Sequence, residues 1–293
     1  LDLPVACRLG ETCEIQNYVD ADPAPDRARD FQGGTRSYEG HNGVDIRLPT
    51  LAAQRAGVDV IAAAEGRVLR VRDGVADVSV KAEGAPSVEG KECGNGVVVE
   101  HEGGWETQYC HLAAGSIAVK PGEPVTRGQR LGRIGLSGET EYPHLHFTVR
   151  RGGQVVDPFV PTAGEDLWRE TPPYRSRSVL NVGFNDGEVS MATIDEGRSP
   201  TLTTAAPALV AYARAIGLKT VDEQTLPLRG PGGQVVSENR AKPLANPQAQ
   251  SMVFAGRRRP AGGWAVGAYT ARYQVRSAGQ VVLDRTFEIK LAN

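Results

Sequence analysis

The chain has 293 residues, with 33 Lys+Arg against 35 Asp+Glu for a formal net charge of −2, and it holds 35 glycines, 19 prolines, four cysteines and five histidines. That balance leaves no basic footprint for nucleic acid and no cationic face for a membrane surface, and no apolar run approaches the ~20 residues that span a bilayer. At roughly 100–200 residues per domain the length suggests two domains, and many glycines without long charged blocks suggest an all-β chain with tight turns.

Residues 1–33 read as a polar, loop-like N-terminal arm packed on the first domain. Within it Cys7 and Cys13 bound a short loop that a disulfide could close. No signal peptide follows Leu1, so the chain reads as a mature or trimmed form. Residues 34–165 form the first domain, in which short β-type runs alternate with glycine turns: VDVIAAA, GRVLRVR, GVVVEH, WETQYCHL, GSIAV, RLGRIG and HLHFTVR. Each has strand length and is bounded by turn residues. Asp73–Lys91 is polar and reads as a long loop or protruding hairpin.

The segment CGNGVVVEHEGGWETQYC reads as a hairpin with its turn near Glu102–Gly104, which brings Cys93 and Cys110 roughly opposite one another. The pairing 93–110 with 7–13 follows, although four cysteines allow three connectivities. Such disulfides would place the chain outside the cytoplasm, periplasmic or secreted.

Residues 166–178 read as a linker and 179–293 as a second, β-sandwich domain. Its expected strands are Val179–Phe184, Val189–Ile194, Ser251–Phe254, Ala268–Arg276 and Gln280–Ile289, the last two forming a terminal hairpin about Ser277–Gly279. Thr204–Gly217 is the best helix candidate, although Pro207 limits it and a strand is possible. Short strands over this length fit an immunoglobulin-like sandwich. The run Arg257–Arg259 could meet an anionic polymer but reads first as a solvated loop.

Chemistry concentrates in four of the five histidines. His41 and Asp45 stand four apart in G-H-N-G-V-D, and His144 and His146 stand in P-H-L-H-F. On a strand, residues two apart share a face, so both imidazoles of H-L-H enter one site. His111 ends the strand T-Q-Y-C-H-L. Four histidines and one aspartate suffice for three ligands to a catalytic zinc, an open position for water and two spare imidazoles. Tyr109, two before His111, would share its face and could assist, although a packing role is the plainer reading. His101 has no partner motif and reads as a surface histidine.

Five blocks in order carry a specific resemblance: G-H-x-G-x-D, G-N-G-V-V-x-x-H, T-x-Y-x-H-L, P-G-x-x-V-x-x-G-Q-x-L-G and S-G-x-T-x-x-P-H-L-H-F. Together they resemble the lysostaphin-type (LytM) zinc metallopeptidases, peptidoglycan endopeptidases, over Gly40–Phe159. The resemblance implies an antiparallel β-sheet domain with one zinc in a groove. It assigns His41, Asp45 and His146 to the metal and His111 and His144 to the catalytic pair. It departs at Thr50–Val58 and Asp73–Glu92, where insertions would border the groove and bear on substrate preference.

The expected reaction is hydrolysis of peptide cross-links or stem peptides of bacterial peptidoglycan. Zinc would acidify its water and polarise the scissile carbonyl. One of His111 and His144 would take a proton, and the other would donate to the oxyanion or the leaving amine. Without H-E-x-x-H the thermolysin arrangement is excluded. Two rivals stand beside this reading: a catalytically silent or self-blocked relative that activates other cell-wall hydrolases, and a secreted protease cleaving glycine-rich protein. The C-terminal domain could bind the cell wall or an envelope protein partner, a matter its fold does not decide.

Overall fold

The computed structural model describes residues 1–198 and 200–293. The chain divides into two compact units, Leu1–Tyr174 and Arg175–Asn293. Both are built of antiparallel strands.

The first unit contains β1 (Glu14–Asn17), β2 (Val44–Arg47), the single-turn helix α1 (Leu51–Ala56), β3 (Asp59–Ile61), β4 (Gly66–Arg72), β5 (Asn95–His101), β6 (Trp105–Leu112), β7 (Pro124–Val125), β8 (Arg130–Arg133), β9 (His144–Arg151) and β10 (Gln154–Val156). The main sheet runs β1-β2-β9-β6-β5-β4-β7, with β10 added on β9, and β3 pairs with β8 separately. Alternation sorts the side chains. Ile46, Leu145, Phe147, Val149, Tyr109, Val97 and Val99 are fully or almost fully buried in one core with Val60 and Leu131. The intervening residues of β2, β9 and β6, including Asp45, His144, His146 and Cys110, take the opposite face.

The arm is less loop-like than its composition suggests. Glu14–Asn17 forms β1 and pairs with β2, and Tyr18 and Phe31 pack edge-on beside Phe159 and Tyr174. GSIAV is no strand, although Ala118 still donates to the Leu131 carbonyl. Both disulfides form, Cys7–Cys13 and Cys93–Cys110. The segment after Asp73 holds no strand; its one β-bridge joins Asp77 to Ser137.

The second unit contains β11 (Ser178–Asn185), the short helix α2 (Met191–Glu196), β12 (Ala208–Leu218), β13 (Glu223–Arg229), β14 (Val235–Arg240), β15 (Gln248–Arg258), β16 (Gly267–Ser277) and β17 (Gln280–Leu291). Sheets β11-β12-β15 and β14-β13-β16-β17 share one apolar core, as in a β-sandwich.

Three expectations reverse here. Thr204–Gly217 is not a helix: most of it is β12, whose Leu209, Ala211, Ala213 and Ala215 all point into the core with no exposure. The period is two, and alanine there lets the facing sheet approach, so packing overrides alanine's helix propensity. The expected strand Val189–Ile194 is instead the start of α2. Ser190 caps it, its hydroxyl accepting from Thr193 N while the Thr193 side chain answers the Ser190 N–H. Arg257 and Arg258 close β15 and are not loop residues.

Candidate metal centre and groove

Register brings the first two groups together. Asp45 on β2 lies opposite His146 on β9, and both project from the face away from the core. His41 reaches the same point from the turn before β2. Gly43 makes this approach possible, since a Cβ there would lie 2.6 Å from His146 Nε2 and 2.8 Å from the Phe147 carbonyl.

Three ligand atoms converge. His41 Nε2 lies 3.2 Å from His146 Nδ1 and 3.2 Å from Asp45 Oδ1, and His146 Nδ1 lies 2.9 Å from the same oxygen. Tetrahedral zinc with bonds of about 2.0–2.1 Å sets its ligands roughly 3.3 Å apart, so the triangle has nearly the right size. The outer atom of each group is engaged elsewhere. His41 Nδ1 faces the Tyr18 carbonyl at 2.7 Å and therefore carries a hydrogen. His146 Nε2 donates to Asn42 Oδ1 at 3.0 Å, with Thr148 Oγ1 at 3.1 Å. Asn17 Nδ2 holds Asp45 Oδ2 at 3.0 Å. Lone pairs of two imidazoles and a carboxylate thus face one point, an arrangement that a cation satisfies.

Electrostatics agree. Burial alone would push the Asp45 carboxyl upward, but His41, His144 and the histidine hydrogen bonds outweigh it and hold it well below the usual range. Burial opposes charge on His41, yet Asp45 more than compensates and its pKa rises. At His146 burial wins and the pKa falls.

His111 and His144 complete the cluster. Their rings are 4.6 Å apart, and their donor atoms and that of His146 all lie within 4.8 Å of one another. His144 Nδ1 donates to the Tyr142 carbonyl at 2.9 Å beside Thr140 Oγ1, and its Nε2 comes to 3.5 Å from Asp45 Oδ1. His111 Nδ1 donates to the Ser137 carbonyl at 2.8 Å. Burial, reinforced by His144 and His146, drives the His111 pKa well below its ordinary value, so its ring is neutral.

His111 reaches this face only through a break in the strand. β6 pairs Tyr109 with Val97 but Leu112 with Asn95, one residue too many on β6. The extra residue is absorbed where His111 takes φ = +61°. A left-handed histidine in a bulge is uncommon and re-aims the side chain. The expectation that Tyr109 shares His111's face is therefore overturned. Tyr109 is fully buried in the core, its hydroxyl accepting from Ala63 N–H at 2.9 Å and from Thr107 at 3.0 Å. Burial pushes its pKa up to about 12. His101 stays outside the cluster, half-buried, with Nδ1 at the Glu65 carbonyl and Nε2 at Thr107 Oγ1.

Several positioning groups were not singled out as site residues, although Asn95 stands in the G-N-G block and Ser137 opens the S-G-x-T block. Tyr18 and Asn17 come from the arm. Asn95, fully buried, bonds Val75 in both directions and donates to the Leu112 carbonyl, which ties the inserted segment to the sheet. Ser137 joins Asn95 N–H, the Leu112 carbonyl and His111. The insertion also braces the loop before β9, with Val80 N–H on the Thr140 carbonyl and Ser79 on the Glu141 carbonyl. The metal cluster opens into a groove of about 310 Å³, with Tyr38, Glu92, Glu139, Gln108, Thr148 and Arg150 on its walls.

Residues 39–158 match the family model of peptidase family M23. The peptidoglycan DD-endopeptidase ShyB of Vibrio cholerae is 32% identical over 117 residues, which are 40% of this chain and 22% of that protein. The DD-carboxypeptidase/endopeptidase Mpg of Neisseria meningitidis is 39% identical over 83 residues, 28% of this chain and 19% of its own. The matched stretch thus spans about a fifth of these curated relatives. Among solved structures, a zinc containing peptidase from Vibrio cholerae is 29% identical, with a TM-score of 0.32 over 49% of this chain and 38% of that one.

Proposed function

We propose, from the match of residues 39–158 to peptidase family M23, that the chain is a zinc-dependent endopeptidase hydrolysing peptide cross-links or stem peptides of bacterial peptidoglycan. The observation that carries this reading is the triangle of His41 Nε2, Asp45 Oδ1 and His146 Nδ1, each pinned from behind by a separate partner. These three would hold one zinc per chain. When bound, zinc supplies a Lewis acid for the scissile carbonyl and acidifies water.

The chain's own residues supply proton transfer and orientation. With Nδ1 committed to a backbone carbonyl, His111 and His144 each present Nε2 toward the cluster. One accepts the proton of the attacking water; the other donates to the developing oxyanion or to the leaving amine. The neutral ring of His111 suits the accepting role. Thr140 and Tyr142 keep the His144 ring in place. The DD-endopeptidase activity named for the relatives supports peptidoglycan as substrate. Two disulfides support a periplasmic or secreted location. The segment 34–165 would be catalytic, and the β-sandwich of 179–293 would serve as an accessory domain meeting the cell wall or an envelope protein.

The test joins metal analysis to digestion of purified sacculi. About one zinc per chain and release of cross-link fragments are expected. His111→Ala and His144→Ala should each stop digestion while zinc is retained. Digestion by both variants would overturn the assigned pair. Stimulation of another hydrolase without digestion would replace this reading with that of a regulator.

A further inference from the structure

The groove is electrically lopsided, and its single cation makes no direct bond to a carboxylate among the described residues, although Glu106 acts on it from the neighbouring strand. Arg150 is the only Lys or Arg on the groove wall among the described residues, whereas Glu92 and Glu139 are its acids. The two acids sit together beside the histidine pair: Glu139 N–H donates to the Glu92 carbonyl, and Glu139 lies between Ser137, which holds His111, and Thr140, which contacts His144. Arg150 lies at the other end. On β9 the groove face reads His144, His146, Thr148, Arg150. Four residues of strand put Arg150 about 13 Å beyond His146.

A half-buried guanidinium normally finds a carboxylate, and one is at hand, because Glu106 is the direct cross-strand neighbour of Arg150. Glu106 instead lies 3.8 Å from Arg70. Arg150 Nη1 donates to Gln108 Oε1 at 2.6 Å. Gln108 is itself anchored, its amide nitrogen 3.2 Å from Cys93 Sγ and 3.1 Å from Cys110 Sγ. A disulfide-braced glutamine thus orients the guanidinium by a neutral contact and leaves its remaining donors to the groove, with the attraction of Glu106 offset in part by Arg70. That is the chemistry of a carboxylate receptor, since a planar guanidinium fork matches a carboxylate in two parallel hydrogen bonds.

We infer that Arg150, oriented by Gln108, is a specificity residue that binds a free carboxylate of the substrate peptide, on one side of the scissile bond only. The inference rests on the peptidase reading above and names the class of peptide it takes. An extended peptide advances about 3.3–3.6 Å per residue, so the carboxylate falls within about four residues of the reacting bond. Glu92 and Glu139 disfavour a carboxylate at the opposite end, so the charge pattern also sets the direction in which the peptide lies.

The test uses the full chain and two forms of one cross-linked peptidoglycan dimer, with its peptide carboxylates free or converted to carboxamides. Binding is read by calorimetry and turnover by product analysis. The wild type should bind the free form about tenfold to a hundredfold more tightly, the scale of one charged hydrogen-bonded contact, with the advantage shrinking as salt rises. Arg150→Gln should collapse the difference between the two forms, and Arg150→Lys should retain part of it. Zinc content and melting temperature serve as folding controls. Equal binding of both forms by the wild type overturns the inference whatever the variants do, as does a preference that survives in folded Arg150→Gln. Discrimination without cleavage would leave the subsite standing and sink the peptidase reading instead.

Discussion

Asn17→Ala isolates what the N-terminal strand contributes to the metal centre. Asp45 is 2% exposed, and its two oxygens have separate duties: Oδ1 faces His41 and His146, while Oδ2 accepts from Asn17 at 3.0 Å. Without the amide, the carboxylate of the metal-free protein gains freedom to turn, and binding must restore its orientation. A hydrogen bond to a charged group contributes about 1.5–3 kcal/mol. If most of that is orientation, zinc affinity should fall about 10–100-fold, the usual cost of losing a partner behind a ligand. Competition against a chromogenic chelator measures the affinity, with a thermal melt of the metal-free variant alongside. An affinity within twofold of wild type, with Asn17→Ala correctly folded, would show that the arm braces the sheet but does not orient the ligand.

Three further outcomes are expected. Removing the Cys93–Cys110 bridge, which spans 17 residues, should cost about 3 kcal/mol of stability by loop-closure entropy, visible as a lower denaturation midpoint in Cys93→Ala/Cys110→Ala. Tyr109→Phe should cost about 1–2 kcal/mol, since Ala63 N–H loses its buried acceptor, yet leave sacculus digestion intact; lost digestion in a folded variant would return Tyr109 to the site. Asp157 has a buried Oδ2 without a partner, and burial pushes its pKa up to about 6. A raised carboxyl pKa favours the protonated folded state, so this contribution is complete below the unfolded pKa of about 3.9 and is lost as pH rises through about 6. Between pH 4 and 7 the wild type should therefore lose about 2 kcal/mol relative to Asp157→Asn, and parallel stability curves would refute the assignment.

The elements most legible in the sequence are those whose pattern and chemistry are local. Strand β9 is an alternating run with H-L-H at its start, and its parity puts both imidazoles on one face. The hairpin of β5 and β6 follows from its glycines and apolar runs, and it places Cys93 and Cys110 for bonding. Where competing local signals were close, sheet packing decided. The alanines of β12 favour a helix in isolation, but alternate ones fill the space between two sheets. Ser190 and Thr193 could cap a helix only once the chain had left the strand pattern, which a β-branched run concealed.

By itself the sequence determined the donor set: which residue types are present, their spacing, and the all-β architecture that carries them. Tertiary structure decided which atom of each residue faces inward. His41 and His146 are 105 residues apart, and the nitrogen each presents depends on what its other nitrogen meets: the Tyr18 carbonyl for one, Asn42 for the other. His111 enters the site because one extra residue in β6 turns it across the sheet, against the parity of its strand. A period of two is a property of the chain. A bulge, a carbonyl behind an imidazole and an arginine oriented by a glutamine on the next strand are properties of strands brought together, and no local pattern encodes them.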